Sequence, residues 1–199
     1  VHLTDKFSGT YYSATKAAEQ VSKEFNKPIA VIDSKNISAG MGLTVLRIAE
    51  AIEGGESFDK IVAKSKQWVL DSKIFVSVKT LKYMEKGGRV SPLKGLLANI
   101  MNVKPIVTMD SNGKSEIFGK TYNQSSNMRK VMKHIAGISS SKKIWKYVIL
   151  HANNPEGAKW YAQQMQILTK QEPAAEVNIS PVIGANAGIG AASVALMFE

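Results

Sequence analysis

Residues 147–179 read YVILHANNPEGAKWYAQQMQILTKQEPAAEVNI, and this stretch decides the fold class. Tyr147-Val148-Ile149-Leu150 is a continuous apolar run of strand length, and Pro155 stands where a helix would open. Ala158, Tyr161, Ala162, Met165 and Leu168 then recur at three- and four-residue spacing, the stripe of an amphipathic helix. A further strand is expected near Val177-Asn178-Ile179. Strands alternating with helices argue for an α/β fold.

The same alternation extends outward from this unit. Upstream lies a helix carrying Met128, Val131, Met132, Ile135 and Ile138, and before it a β-hairpin, Ile106–Met109 and Ser115–Lys120, turning at Asn112-Gly113. Ile74–Val78 reads as a strand, Leu81–Lys86 as a short helix stopped by Gly87-Gly88, and Pro92 as the opening of another helix. Nearer the start, Tyr11, Ala14, Ala18, Val21 and Phe25 form one stripe of a helix over Thr10–Phe25, and Ile29-Ala30-Val31-Ile32 reads as a strand followed by a polar loop to Gly40. Two helices follow: one with Leu43, Leu46, Ile48, Ala49 and Ile52, stopped by Gly54-Gly55, and one capped by Ser57 with Phe58, Ile61, Val62, Ser65, Trp68 and Val69 in its stripe. A boundary between two lobes is placed near Ser72, giving 1–72 and 73–199.

Val182–Phe198 carries no charge, but Gly184, Asn186, Gly188, Gly190 and Ser193 interrupt its apolar surface, so a Gly-rich loop and a buried strand are expected in place of a membrane span. The chain has 199 residues, 44% of them hydrophobic, enough to bury the core of one domain or two small lobes and too many for a disordered chain. Cysteine is absent, which excludes disulfides, thiolate metal sites and cysteine nucleophiles and makes a reducing cytoplasm the expected compartment. The start, Val1-His2-Leu3-Thr4-Asp5-Lys6, has neither an initiator Met nor the layout of a signal peptide, so an excised piece of a longer protein is expected. Twenty-six Lys and Arg against 16 Asp and Glu give a net charge of +10, which suits a polyanion, an acidic protein partner or an anionic ligand.

Four segments carry possible binding chemistry. Phe7-Ser8-Gly9-Thr10-Tyr11 places hydroxyls and free amides of Ser8 and Thr10 at the positive end of a helix, suited to a carboxylate or phosphate or to simple capping. Asp33-Ser34 with Ser38-Ala39-Gly40-Met41-Gly42 follows a strand, where ligands bind in open α/β sheets, although glycines there also simply close loops. In Gly184-Ala185-Asn186-Ala187-Gly188-Ile189-Gly190, Asn186 either bonds a ligand or caps its own turn. Tyr83–Arg89, continued by Lys94 and Lys104, is a basic corner that is either solvated surface or a docking patch. His2, His134 and His151 lack partners at metal spacing, and no paired carboxylates or nucleophile elbow is present. The +10 charge makes a nucleic-acid-binding module the alternative function; Arg129, Lys130, Lys133, Lys142 and Lys143 could touch phosphate, but neither an RNP-like aromatic platform nor a helix-turn-helix is evident. A hydrolase or transferase built on His151, which follows an apolar strand, is a third.

In order along the chain, Phe7-Ser-Gly-Thr-Tyr-Tyr-Ser-Ala14, Val31-Ile-Asp-Ser34, Ser38-Ala-Gly-Met-Gly42, Tyr83-Met-Glu-Lys-Gly-Gly-Arg-Val-Ser91, Lys104-Pro-Ile106 and the closing Gly-rich loop resemble the DegV family. That family comprises bacterial fatty-acid-binding proteins, including the FakB subunits of fatty acid kinase. The resemblance implies a two-lobed α/β fold, with the first lobe incomplete here and the α/β second lobe whole. It implies a long-chain fatty acid buried between the lobes and no cofactor. It further implies no catalysis by this chain, only presentation of the acyl carboxylate to a partner kinase related to dihydroxyacetone kinase.

By the same resemblance, Ser8 contacts the carboxylate, and the ligand site draws on Ser8, Gly9, Thr10, Ser34, Gly40, Met41, Asn186 and Gly188. The kinase docks on Lys86, Gly87, Gly88 and Arg89, while Met41, Leu43 and Ile106 are candidates for the tail tunnel. Asn186 stands where many members carry His, Ile189 where many carry Pro, and Tyr122 near an expected Arg. At about 0.8 kcal/mol per buried methylene, a sixteen-carbon tail would supply on the order of 10 kcal/mol before ordering costs, so the tail sets affinity and the head group sets orientation.

Overall fold

Short apolar runs bounded by Gly, Asn and Pro become strands, and the longer periodic segments become the helices that cover them. The structure is a computed structural model that describes residues 1–89 and 103–199. Its elements are α1 (Thr10–Phe25), α2 (Ser38–Glu53), α3 (Phe58–Asp71), β1 (Ser72–Ser77), α4 (Lys82–Lys86), β2 (Lys104–Met109), β3 (Ser115–Thr121), α5 (Gln124–Ser139), β4 (Ile144–His151), α6 (Pro155–Thr169), β5 (Ala175–Asn178), α7 (Pro181–Ala187) and β6 (Ala192–Phe198). The six strands make one sheet in the order β3-β2-β1-β6-β4-β5. Only β4 and β5 run parallel, joined across α6; the other pairs are antiparallel.

Strand alternation sorts the core into two layers. On one face Ile74, Val76, Val107, Met109, Val148, Leu150, Ala195 and Met197 pack with Leu43 of α2 and Trp68 of α3. On the other, Phe75, Ile106, Tyr147, Ile149, Val194, Leu196 and Phe198 meet Met128, Val131 and Ile135 of α5 and Ala158, Tyr161 and Met165 of α6. All seven residues of β6 are buried, as the central strand of a sheet covered on both sides requires. Arg47 of α2 lies over the Trp145 ring at 4.5 Å and near that of Trp68 at 5.8 Å, tying α2 and α3 to β4.

Polar groups in the second layer are paired or neutral. The Tyr161 hydroxyl and the Ser77 hydroxyl are hydrogen-bonded at 2.9 Å, and burial holds the Tyr161 phenol well above its ordinary value. His134 sits against Phe75 and Phe118, and burial lowers its pKa from 6.5. The unfolded chain therefore takes up this proton at a higher pH than the folded one. Thermal stability should fall as pH drops below about 6.5, and His134→Phe should flatten that slope in melting curves between pH 7 and 5; an unchanged slope would refute the assignment.

Five expectations are corrected. Ile29–Ile32 is extended but is not a strand: its neighbour is the segment around His2, with bonds from His2 N to Ile32 O (2.9 Å) and from Ser34 N to His2 O (3.0 Å), a single bridge. The stripe of α1 is not buried among the described residues, with Val21 39% and Phe25 61% exposed. Ser38–Gly42 belongs to the first turns of α2, and much of the closing Gly-rich segment is the short helix α7. Ser57 precedes α3 in the N-cap position but forms no side-chain cap bond. The hairpin turn is as expected, Gly113 taking φ +80°. The helix expected at Pro92 lies outside the described residues. Among the described residues no helix is long and apolar enough to cross a membrane.

Candidate functional site

Small side chains on the central strands leave a trough in the first face of the sheet. Ala152 after the apolar run of β4, and Ala191 and Ser193 on the approach to and within β6, lie beside the larger Ile74 and Val76 of β1, and together they floor a cavity of about 650 Å³. That volume lies within the roughly 300–1,000 Å³ typical of small-molecule sites. Met84, Gly87 and Arg89 from α4 and its end form one wall, and Ile179 with Val182, Ile183, Ala185, Asn186 and Ala187 of α7 form another. Leu3, Phe7, Ser8, Thr10, Ile37 and Ser38, at the N-termini of α1 and α2, complete it with His151.

Glycines allow the walls to meet. A Cβ on Gly87 would collide with Asn186 Oδ1, and one on Gly188 would collide with the Tyr83 ring, so α4 and α7 approach closely only because both positions are glycine. Gly188 also takes φ +80°, ψ 153°, a conformation essentially reserved for glycine. The turn into β6 is pinned on Gly190, whose carbonyl accepts from Gln124 Nε2 (2.7 Å) and Asn154 Nδ2 (2.9 Å) and whose N–H donates to Ala152 O (2.6 Å).

The polar atoms of the lining have distinct states. Asn186 Nδ2 donates to Val182 O at 3.1 Å, while its Oδ1 is buried with no partner among the described residues. Arg89 is exposed and donates from Nη1 to Gly87 O at 2.6 Å, which places its guanidinium beside the Gly87–Asn186 contact. Ser8 Oγ accepts from Thr10 N at 3.3 Å, so it caps the turn and keeps its own O–H proton for another acceptor. His151 Nδ1 accepts from Asn154 N at 3.2 Å, which puts the ring proton of the neutral tautomer on Nε2. An apolar floor edged by hydroxyl, amide, imidazole and guanidinium groups suits a ligand with a long apolar body and an anionic end.

The structure thus brings Ser8, Thr10 and Asn186 onto one cavity, and adds Gly87 and Arg89, which the sequence pointed to as a docking corner. Lys86 is exposed on α4 and Gly88 has φ +71°. Gly9 lies between two lining residues. Ser34 is fully buried and exchanges bonds with Asn36, accepting from its N–H and donating to its carbonyl, both at 3.2 Å. Gly40 is packed on Asn36, and its carbonyl accepts from Ser72 Oγ at 2.7 Å, so both brace the start of α2 and neither lines the cavity. Gly188 supports the wall from behind, and Met41 lies on α2 outside the lining.

Of the tunnel candidates, Leu43 is core beneath α2, and Ile106 faces the opposite layer because strand alternation points it toward α5. Lys104 opens β2, and Lys94 lies outside the described residues. The residues that sequence reasoning missed are Ile74, Val76, Met84, Ile179, Ile183, Ala191 and Ser193. The alternation of β1 signals that Ile74 and Val76 share a face, but nothing local signals that α4 and α7 fold over it. Among the described residues no group of His, Asp and Glu could hold a metal ion.

A family model described as "Uncharacterised protein, DegV family" matches residues 1–199. A DegV domain-containing protein of Staphylococcus aureus (strain COL) is 32% identical over 201 residues, covering 99% of this chain and 69% of the relative. A DegV family protein from Thermus thermophilus, whose structure is described as showing fatty acid binding, superposes with a TM-score of 0.85 at 25% identity, over 100% of this chain and 70% of that one. A fatty acid binding DegV family protein from Streptococcus agalactiae shares the fold, with a TM-score of 0.87 at 21% identity over 98% of this chain and 68% of that one.

Proposed function

This chain belongs to the DegV family, and from that premise we propose that it binds a long-chain fatty acid in the cavity over β1 and β6. The observation that carries the proposal is the cavity's division of labour: a floor of Ile74, Val76, Ala152 and Ala191, with Ser8, Thr10, Asn186 and Arg89 at its part-exposed edge. An acyl tail along that floor would gain about 0.8 kcal/mol per buried methylene. The carboxylate would lie at the edge, where the Ser8 hydroxyl and the Arg89 guanidinium can donate to it. Asn186 also offers its Nδ2, at the position where the family resemblance leads one to expect a titratable His.

The finer reading concerns what happens to that carboxylate. Held at the edge beside the exposed corner of Lys86, Gly87, Gly88 and Arg89, it would be presented to a partner kinase related to dihydroxyacetone kinase, which phosphorylates it in the cytoplasm. The chain itself supplies binding and orientation, with no cofactor. The division into 1–72 and 73–199 is likewise a proposal about the parent fold; α2 and α3, from the first part, cover one face of the sheet formed by the second.

Lipid extraction and native mass spectrometry of the purified protein test this directly. A bound or added C16–C18 fatty acid should be retained, and failure to bind any acyl chain would overturn the proposal. Ser8→Ala should weaken binding about tenfold, the effect of one hydrogen bond to a charged group, and leave the melting temperature within about 2 °C of wild type.

A further inference from the structure

One polar group of the cavity lining is buried away from the carboxylate site. Ser193 is on the central strand β6, 6% exposed, and lines the floor, whereas Ser8, Thr10, Asn186 and Arg89 are all part-exposed or exposed. It pairs in register with Val76 on one side and Leu150 on the other, so apolar strands flank it. At about 3.3 Å per residue it stands roughly 7 Å along the strand from Ala191. Among the described residues its hydroxyl has one partner, the Leu150 carbonyl at 3.4 Å, well beyond the roughly 2.5–3.0 Å of a good O–H···O bond. A buried serine oxygen with two lone pairs and a weakly held proton is poorly satisfied by a plain hydrocarbon.

We infer that Ser193 is a chain-selecting contact, and that the cavity prefers fatty acids bearing a hydroxyl or keto oxygen along the tail over unsubstituted chains of the same length. The inference rests on the fatty-acid reading of this cavity and goes further by naming the ligand subclass. A ligand hydroxyl can donate to the Ser193 oxygen, and a hydroxyl or keto oxygen can accept its proton. The carboxylate stays at the exposed edge. The gain is that of one buried neutral hydrogen bond, so the preference is modest, about fivefold.

The test is calorimetric titration of wild type and Ser193→Ala with stearic acid and with stearic acids hydroxylated at successive mid-chain positions. The alanine variant deletes a single atom from a floor already rich in alanine, and a melting curve verifies its fold. Wild type should bind at least one hydroxylated isomer about fivefold more tightly than stearic acid, a preference that Ser193→Ala abolishes while binding stearic acid as well as wild type or better. The same ratio of affinities in both proteins would overturn the inference alone. Weaker stearic acid binding by Ser193→Ala would also overturn it, because it would place the carboxylate at Ser193. If wild type bound none of the acids, the fatty-acid reading itself would fall and the inference with it.

Discussion

Replacing Ala187 by Trp is expected to lower the affinity for a C16–C18 fatty acid at least a hundredfold while leaving a folded protein. Ala187 is 7% exposed, lies on α7 and faces the cavity, so an indole there occupies space that the acyl chain needs. Excluding only four methylenes removes about 3 kcal/mol, more than a hundredfold in affinity. The second core layer is untouched, because α7 packs on α4 and Ala187 belongs to the cluster on the first face of the sheet. Fluorescence displacement with a labelled fatty acid, read beside far-UV circular dichroism, separates the two effects. Wild-type affinity in a folded Ala187→Trp protein would place the ligand elsewhere.

Gly188→Ala should destabilise the protein by about 2–4 kcal/mol, through two independent penalties. The φ +80°, ψ 153° conformation is strained for any L residue, and the new methyl group would meet the Tyr83 ring. For a chain of this size the melting temperature should drop by roughly 5–15 °C. Relaxation that moves Tyr83 aside would also separate α7 from α4, so fatty-acid affinity should fall together with stability. A melting temperature within 2 °C of wild type would show that the α4–α7 contact does not matter to the fold. Gly188 thus acts on the site by supporting a wall, a role distinct from the direct ligand contact suggested by its place in the Gly-rich segment.

Local patterns made most of the helices and sheet strands legible. The stripe of α6 and the Asn112-Gly113 turn express their structure through residues next to one another, so spacing alone identifies them. Ile29–Ile32 shows where that logic ends: an apolar run is competent to be a strand, but it becomes one only where a neighbouring chain segment offers a ladder, and here the neighbour is a single bridge at His2.

The candidate site divides in the same way. Ser8, Thr10 and Asn186 stand in recognisable motifs and do line the cavity. Ser34 and Gly40 stand in motifs too, yet they brace the start of α2 through Asn36 and Ser72, a role visible only when segments more than thirty residues apart are seen in contact. Ile106 lies on the face away from the cavity, because a tail tunnel requires one face of a strand and that face is set by register with β1, not by the residue's apolarity.

The position of β6 has a consequence for how the chain folds. It follows every other strand in sequence but lies between β1 and β4, pairing Ser72 with Met197 and Ile144 with Phe198. Before it arrives, the sheet is two unconnected pieces, β1-β2-β3 and β4-β5, and the trough that Ser193 floors does not exist. Pairing of β6 with β1 closes a loop spanning most of the sheet, an entropically slow step that comes late. During synthesis on a ribosome, the inner edges of β1 and β4 therefore stay open until β6 emerges, and ligand capture is deferred to the same moment.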